Sequence, residues 1–290
     1  MHRIRGPFLA AEALAADAVT FRELRRFHTG IYPGVWAPRD VELSPTQRAH
    51  AAWLWSRREG VVAGLSASAM WGAKWIEAGT PAELIHTNRR PPPLLAVHDE
   101  TLPPGEAATV SGIPVTTPAR TAFDLGRRLD LQAGVQRIDA LMNATDVKVA
   151  EVEAVLAGHR GMRGVRQLRE TLLLVDGGAE SPYESLTRLL LVQAGFPRPQ
   201  TQIRVVDEYG CVVARIDMGW PEYLVGVDFE GAHHWTDSRQ RSKDAERFTR
   251  IPELGWTDFK LTSGMLHHHP QRFLDRVGAA LIARGCPKTW

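Results

Sequence analysis

Three carboxylates stand close together in the last third of the sequence, on segments that predict β-strands. Asp217 lies near the end of the run Val212–Met218, and Asp228 and Glu230 lie two residues apart on the next run, Leu224–Glu230. Because side chains two apart on a strand share a face, Asp228 and Glu230 are expected on the same side of the sheet. Carboxylates held together repel one another unless a cation compensates them, and Mg²⁺ is bound by such oxygen ligands. The spacing therefore predicts a site for Mg²⁺ or Mn²⁺ that includes Asp217 and Asp228.

Further groups that suit the same chemistry flank these strands. Glu184 lies on the helix predicted before the first strand. His233 and His234 follow the third carboxylate and precede a polar helix, predicted over about 238–250, that carries Lys243. A bound metal lowers the pKa of a water molecule and stabilises charge on a phosphate, while a neighbouring base accepts the proton. A cation site, histidines and a basic helix together indicate hydrolysis of a phosphodiester bond.

The string from Arg215 to His234 resembles the PD-(D/E)XK nuclease superfamily, and is most similar to the branch of the very short patch repair endonucleases. Glu184 fits the same branch as a third metal ligand, and so does a Gly-Trp pair before the last predicted strand. The resemblance covers about residues 180–285. It implies a restriction-endonuclease-like domain over 180–290, with a mixed sheet flanked by helices.

The resemblance also implies a role for each residue of the motif. Asp217 and Asp228 match the acidic positions and would hold the metal. Glu230 stands where the superfamily usually carries lysine, the residue that orients or activates the attacking water. Glu230 or His234 would then accept the proton, and Lys243 would supply the missing cation and contact DNA. The same departure favours an alternative, in which the domain keeps its fold but has lost catalysis.

Several of these residues also have a structural interpretation. Glu184 completes a Ser-Pro-Tyr-Glu capping box that starts at Ser181. Asp217 lies beside a turn, where aspartate is common, and the two histidines at 233–234 can cap the helix that follows. The three consecutive histidines at 267–269 cannot all face one ion on a regular element, so a surface loop is expected there.

The N-terminal segment predicts a different kind of element. Two short helices are expected over 8–16 and 20–28, followed by a β-ribbon over 31–37. Helix, turn, helix and β-wing is the order of a winged helix-turn-helix, whose second helix lies in the major groove of DNA. A winged helix-turn-helix-like domain is therefore predicted over 1–40.

The second of these helices has a basic face. Outward arginines suit contacts with phosphates and bases, because the guanidinium presents a planar fork of donors. The alternative is a helical pair packed on the next domain, with a solvated basic face. The predicted inward side consists of Phe21, Leu24 and Phe27, and the outward, DNA-binding side of Arg22, Arg25 and Arg26.

Residues 41–176 are predicted to form an α-rich middle domain with a small β insert, and nothing in them has catalytic spacing. Residues 1–175 resemble the N-terminal part of AbiEi-type antitoxin-like proteins, on the Tyr32-Pro33 wing and the stretch Gly112–Leu125. This resemblance implies that the winged helix binds DNA. Helices are expected over 45–58, 65–73, 118–128, 131–143, 147–157 and 163–174, and strands over 82–86, 94–98 and 107–115.

The composition restricts the class of protein. The chain of 290 residues is 44% hydrophobic and 23% charged with a net charge of +2, which excludes wholesale disorder and a polybasic chain. No apolar run approaches the ~18 residues of a membrane-spanning helix. Glu12 and Asp17 interrupt the apolar stretch that a secretory leader would need, and two cysteines cannot form a disulfide scaffold. A cytoplasmic protein with no membrane partner is expected.

These patterns together predict an α/β (α+β) protein that binds DNA and carries a divalent-metal-dependent, endonuclease-like domain. The alternative is a catalytically degenerate DNA-binding regulator or antitoxin-like protein. A third alternative, a protein-interaction module without nucleic acid, requires Arg22, Arg25 and Arg26 to be merely solvated. DNA is the expected partner, and the sequence leaves open a homo-oligomer or a toxin partner.

Overall fold

The computed structural model of the chain describes residues 4–230 and 250–290. The chain divides into two compact units, residues 1–173 and 174–290. Helices and sheets occur in both units, which confirms the predicted α/β (α+β) class. The finer division into domains at 1–40, 41–176 and 180–290 stays a prediction.

The first unit begins with two short helices and a three-stranded antiparallel sheet of order β1-β3-β2. The predicted helix pair and ribbon are confirmed, and a short strand that was not predicted pairs Phe8 with Trp36. Gly34, with φ of 80°, allows the tight turn of the hairpin. The elements are β1 (Phe8–Leu9), α1 (Ala10–Ala15), α2 (Phe21–Phe27), β2 (His28–Tyr32) and β3 (Val35–Pro38).

The rest of the first unit is a five-stranded mixed sheet, of order β6-β5-β4-β8-β7, with six helices. The predicted strand over 107–115 is instead two strands, because Ser111 and Gly112 both have positive φ and turn the chain into a hairpin. The strands are β4 (Val61–Val62), β5 (Ala82–Ile85), β6 (Leu95–His98), β7 (Ala107–Val110) and β8 (Ile113–Thr116). The helices are α3 (Pro45–Trp55), α4 (Gly64–Met70), α5 (Pro118–Arg128), α6 (Leu131–Ala144), α7 (Val149–Gly158) and α8 (Val165–Leu172).

Local capping fixes where two of these helices begin. The Ser44 hydroxyl accepts the N–H of Gln47 at 3.2 Å, and Gln47 Oε1 accepts the N–H of Ser44 at 3.0 Å. The Thr117 hydroxyl accepts the N–H of Arg120 at 3.3 Å in the same way. Each cap satisfies a backbone donor that has no partner within its helix, and the starts predicted from Ser-Pro and Thr-Pro are confirmed.

The described part of the second unit contains a four-stranded mixed sheet of order β12-β11-β10-β9, in which β11 and β12 run parallel and the other neighbours antiparallel. Its strands are β9 (Gln200–Val206), β10 (Val212–Trp220), β11 (Val225–Glu230) and β12 (Thr257–Thr262). The helices whose bounds lie within the described residues are α9 (Pro182–Gln193), α10 (Ser263–His268) and α11 (Pro270–Ala283), with a 3₁₀ turn at Pro221–Tyr223. The helix predicted over 238–250 lies outside the described residues except at its end.

Apolar packing covers the sheet of the second unit with helices. Met218 and Val227 pack in one buried cluster with Leu191 of α9 and with Phe273 and Val277 of α11. This arrangement confirms the mixed sheet flanked by helices. Within the described parts of the chain, every helix is too short or too polar to cross a membrane.

Candidate functional site

Helix α2 is fixed at both ends by hydrogen bonds. At its start, the Thr20 hydroxyl accepts the N–H of Glu23 at 3.2 Å, and the Glu23 carboxylate accepts the N–H of Thr20 at 2.8 Å. At its end, Arg39 Nη2 donates to the carbonyl oxygens of Arg25 at 3.0 Å and His28 at 3.3 Å. The helix therefore presents its outer face in one defined orientation.

The outer face of α2 is basic, as predicted. Arg22, Arg25 and Arg26 are all exposed. Within the part of the chain that the structure describes, none of the three forms an ion pair with a carboxylate. Their charges are therefore available to an anionic partner.

The predicted inward face of α2 is wrong at two of its three positions. Leu24 is 3% exposed, but Phe21 is 62% exposed and Phe27 is 51% exposed. The reason is the small size of the cluster beneath the helix, in which only Leu24 packs with buried Ala13 and Val19. The two phenylalanine rings instead lie at the surface, where the guanidinium groups of neighbouring arginines pack over them.

The hairpin of β2 and β3 is anchored to the sheet of the first unit. Tyr32 is buried, and its hydroxyl donates to the carbonyl oxygen of Leu94 at 2.9 Å. Val35 packs in the same cluster as Ala49 and Ala52 of α3. The hairpin is therefore fixed to the sheet of the first unit and to α3.

In the second unit, the structure brings Asp217 and Asp228 together on adjacent strands. The N–H of Asp217 donates to Oδ1 of Asp228 at 2.7 Å, and the N–H of Phe229 donates to Oδ2 of Asp217 at 2.8 Å. Strands β10 and β11 pair antiparallel, from Trp220 opposite Val225 to Met218 opposite Val227. Beyond that point, each aspartate carboxylate accepts a backbone N–H of the opposite strand.

A lysine that the sequence analysis did not single out compensates this cluster. Lys260 lies opposite Asp228 on the parallel strand β12, and its ammonium group contacts the Asp228 carboxylate. The same ammonium lies 2.6 Å from Oδ2 of Asp258. The sequence predicted that a divalent cation relieves the repulsion among these carboxylates. At Asp228, the ammonium group of Lys260 does so instead.

Glu184 is buried on α9, where it contacts neighbouring groups of the same unit. Its Oε2 accepts the N–H of Glu180 at 2.8 Å and the amide of Gln202 at 3.2 Å. The Ser181 hydroxyl accepts the N–H of Glu184 at 3.2 Å, so the predicted cap is present, although the carboxylate reaches Glu180 instead of the cap residue. Burial raises the pKa of Glu184, and the hydrogen bonds from the Glu180 N–H and Ser181 offset only part of that increase.

The described residues do not by themselves fit a metal centre. Among them, no group of three or more His, Cys, Asp or Glu side chains is placed to hold an ion. The oxygens of Asp228 are engaged by Asp217 and Lys260, and Oδ2 of Asp217 by a backbone N–H. Glu230 is half-buried at the end of β11. The predicted residues His233, His234 and Lys243 lie outside the described parts of the chain, so the metal and catalytic roles stay predictions.

The three histidines at 267–269 do not form the predicted loop. His267 and His268 end the short helix α10, and all three side chains are exposed. His267 packs edge-on against Tyr183, whose ring stacks on Phe229 at a centroid distance of 4.4 Å. The Thr262 hydroxyl starts this helix by accepting the N–H of Met265 at 3.3 Å.

The first unit contains a buried ionic cluster that the sequence analysis missed. The side chain of Arg120 on α5 has no exposed surface. Its guanidinium donates to Glu100 at 2.7 Å, to Glu106 at 2.5 Å and to Asp124 at 3.1 Å. A buried arginine with three carboxylate partners connects α5 to the segments beside β6 and β7. The signal available in the sequence was the spacing of Arg120 and Asp124, which are four apart on one helix face.

Further charged groups extend this cluster to its rim. Arg127 and Arg128 both donate to Glu100, and Arg128 lies 3.3 Å from Asp124. Burial alone would raise the pKa of Glu100, but the hydrogen bond from Arg127 and the charges of both arginines outweigh burial and hold the pKa below its usual range. Two histidines complete the rim, since His98 lies 2.9 Å from Glu83 and His159 lies 2.7 Å from Glu106.

The ionic cluster falls within the region that matches a known family. Residues 46–174 match the AbiEi antitoxin C-terminal domain. This match supports the AbiEi resemblance. It corrects the part of the antitoxin that is matched, which is the C-terminal domain and not the predicted N-terminal part. The match begins after the helix pair and wing, and it ends where the second unit begins.

Two relatives from Mycobacterium tuberculosis are similar to part of the chain. They are "Uncharacterized protein MT2308" of strain CDC 1551 / Oshkosh and "Uncharacterized protein Rv2248" of strain ATCC 25618 / H37Rv. Each is 30% identical over 172 residues, which cover 59% of this chain and 63% of the relative. The chain thus spans less than two thirds of the length of these relatives. No solved structure matches the chain.

Proposed function

We propose that the protein is a DNA-binding regulator of the antitoxin type, in which α2 and the β2–β3 wing contact duplex DNA. The observation that carries this proposal is the basic face of α2. Arg22, Arg25 and Arg26 are exposed, and no described carboxylate pairs with them. The match of residues 46–174 to an antitoxin domain, directly after the wing, supports the same function.

The geometry suggests how each element would act on DNA. A helix that precedes a β-wing lies in the major groove in winged helix-turn-helix proteins, with the wing beside the backbone. Arginine suits both surfaces, because its fork of donors matches phosphate oxygens and the O6 and N7 atoms of guanine. The caps of α2 fix this helix before DNA arrives, so less conformational entropy is lost on binding.

The domain over 46–174 would then act on a second macromolecule. An antitoxin counteracts a toxin, so a toxin partner is part of the proposal.

In the second unit, the compensation of Asp228 by Lys260 agrees with a nuclease-like domain that serves a structural or binding role. DNA binding would therefore not require a divalent cation.

Binding of a labelled random-sequence duplex in EDTA tests the proposal. The native protein is expected to bind, and replacement of Arg22, Arg25 and Arg26 by glutamine to weaken binding strongly. The matched control replaces three other exposed arginines of the same unit, Arg163, Arg166 and Arg169, by glutamine. Equal loss in both triple variants would show that binding depends only on net charge. Loss in neither would place the DNA interface outside α2, and no binding by the native protein would favour a protein-interaction module.

A metal-dependent nuclease is the second candidate, and one observation favours it. Asp217 and Asp228, the two residues predicted to act together, lie on adjacent strands, where the backbone N–H of Asp217 donates to the Asp228 carboxylate. Plasmid, linear and single-stranded DNA should be incubated with the full chain in Mg²⁺, Mn²⁺ or EDTA. Cleavage that requires metal and disappears in Asp217→Asn would support the nuclease. Cleavage that survives this substitution, or no cleavage with DNA binding intact, would leave the regulator as the function.

A further inference from the structure

An ion pair joins the first helix of the N-terminal pair to the turn that follows α3. Arg58 Nη1 donates to Oε1 of Glu12 at 2.7 Å, and Arg58 Nη2 donates to Oε2 of Glu12, also at 2.7 Å. We propose that Glu12 and Arg58 are positioning residues, which set the direction in which α2 presents its arginines to DNA. This inference rests on the proposed DNA binding and adds a link through which the region that matches the antitoxin domain would control it.

The backbone at Arg58 is strained. Arg57 and Arg58 lie in the turn after α3, and both are left-handed, with φ of 57° and 66°. Glycine adopts this conformation freely, whereas residues with a side chain rarely do. The N–H of Arg57 donates to the carbonyl oxygen of Leu54, and that of Arg58 to the carbonyl oxygen of Trp53, both at 3.0 Å. Such strain persists only where contacts offset it, and the Arg58 side chain makes contacts of that kind.

The guanidinium of Arg58 is held from two directions. Besides its two hydrogen bonds to Glu12, it lies 5.8 Å from the ring centre of Trp53 on α3, within the range of a cation–π contact. The hydrogen bonds from Arg58 lower the pKa of Glu12, so the carboxylate is ionised at neutral pH. The side chains of Arg58 and Glu12 are 42% and 56% exposed. An ion pair so exposed adds little to stability, whereas two parallel hydrogen bonds from a planar fork fix a direction.

Helix α1 connects this ion pair to the basic face of α2. Ala13, the neighbour of Glu12, packs in a buried cluster with Val19 and with Leu24 of α2. The buried residues of this cluster all lie in the first 40 residues, so the cluster joins the two helices to each other. A contact between Glu12 and Arg58 therefore orients both helices relative to α3.

Glycine at two neighbouring positions tests the inference. Arg58→Gly and Arg57→Gly each remove one positive charge and one strained left-handed side chain, but only Arg58→Gly removes the ion pair. Arg57 is exposed, and no described carboxylate pairs with it. The affinity of the full chain for a random-sequence duplex in EDTA should be about threefold to fivefold lower for Arg58→Gly than for Arg57→Gly, the range expected for an exposed ion pair.

Two further measurements separate positioning from other roles. Glu12→Gln should lower the affinity by a similar factor relative to Glu42→Gln, which neutralises an exposed carboxylate of the same unit. Arg58→Gly should keep the slope of log affinity against log salt that Arg57→Gly shows, because loss of a phosphate contact would reduce that slope by about 0.9. Urea denaturation should give similar stabilities for the two glycine variants.

The outcomes distinguish this inference from the proposed function. Equal affinities of the two glycine variants, with duplex binding intact, would overturn the inference and leave the function standing. A slope reduced in Arg58→Gly alone would place Arg58 against a phosphate and overturn its positioning role. A loss of affinity that only accompanies unfolding of Arg58→Gly, and is absent from Glu12→Gln, would also overturn it. No duplex binding by the native chain would overturn the proposed function itself.

Discussion

Lys260 and Asp228 lie opposite each other on the parallel strands β12 and β11, and the ammonium group of one contacts the carboxylate of the other. The pair is mostly buried, with side-chain exposures of 26% for Lys260 and 7% for Asp228. Removing one member of a buried ion pair costs more than the pair contributes, because a charge is left in a medium of low dielectric. The carboxylates of this sheet therefore depend on a lysine from a distant segment of the chain.

Replacement of Lys260 by methionine should destabilise the second unit. We expect the free energy of unfolding to fall by about 2–4 kcal/mol, below the full cost for a wholly buried pair. Asp228→Asn combined with Lys260→Met should recover part of that loss, because the charge of Asp228 is then removed, while that of Asp258 stays buried without Lys260. Urea denaturation of the full chain measures both effects. The control is Lys288→Met at an exposed position, and a Lys260→Met variant as stable as this control would contradict the role of the pair.

Replacement of Arg120 by methionine should destabilise the first unit more strongly. The side chain of Arg120 is fully buried and contacts Glu100, Glu106 and Asp124. Loss of the central cation should cost about 3–5 kcal/mol, because three carboxylates would remain close together. Arg166→Met, whose side chain is 94% exposed, should change stability by at most about 0.5 kcal/mol. If Arg120→Met and Arg166→Met were equally stable in urea, the ionic cluster around Arg120 would not stabilise the first unit.

The pH dependence of stability should include a contribution from Glu100. Its pKa in the folded protein lies below the usual value of 4.5, because Arg127 and Arg128 outweigh the effect of burial. Its stabilising contribution is therefore complete above about pH 4.5, and it is lost as the pH falls through the lowered pKa. Glu100→Gln should reduce stability at neutral pH and reduce it less at about pH 3. A variant whose deficit grows towards acid pH would contradict this direction.

The contribution of Glu184 to the pH dependence of stability should have the opposite sign to that of Glu100. Burial raises its pKa above 4.5, so the ionised form is disfavoured in the folded protein, and stability is lost as the pH rises through the raised pKa. Glu184→Gln keeps an oxygen that accepts the Glu180 N–H and removes the charge. The variant should be more stable than the native protein at neutral pH and no more stable at about pH 4. Thermal unfolding at the two pH values measures this, and a less stable variant at neutral pH would reverse the interpretation.

Local rules predicted the helices and strands better than the contacts between them. Ser44-Pro45 and Thr117-Pro118 fix helix starts through hydrogen bonds three residues away, so a single sequence contains the whole signal. Lys260 contacts Asp228 across 32 residues of chain, and Arg120 contacts Glu100 across 20. Which charges meet at such separations depends on strand order and register, and these are tertiary properties.

The faces of α2 were predicted only in part, for a related reason. Periodicity placed Phe21, Leu24 and Phe27 on one side, and this is correct for a helix that packs on a broad surface. The cluster beneath α2 is small, so it buries one residue of the three. The size of the supporting surface is set by residues elsewhere in the fold, and the helix sequence does not contain it.

The dependence of DNA affinity on salt tests the central claim most directly. Each phosphate that the protein neutralises contributes about 0.9 to the slope of log affinity against log salt. If Arg22, Arg25 and Arg26 contact phosphates, glutamine at all three positions should reduce that slope by about two to three. The same measurement on the Arg163, Arg166 and Arg169 variant should give the native slope. An unchanged slope in the α2 variant would contradict the account, because the helix would then lie outside the DNA interface.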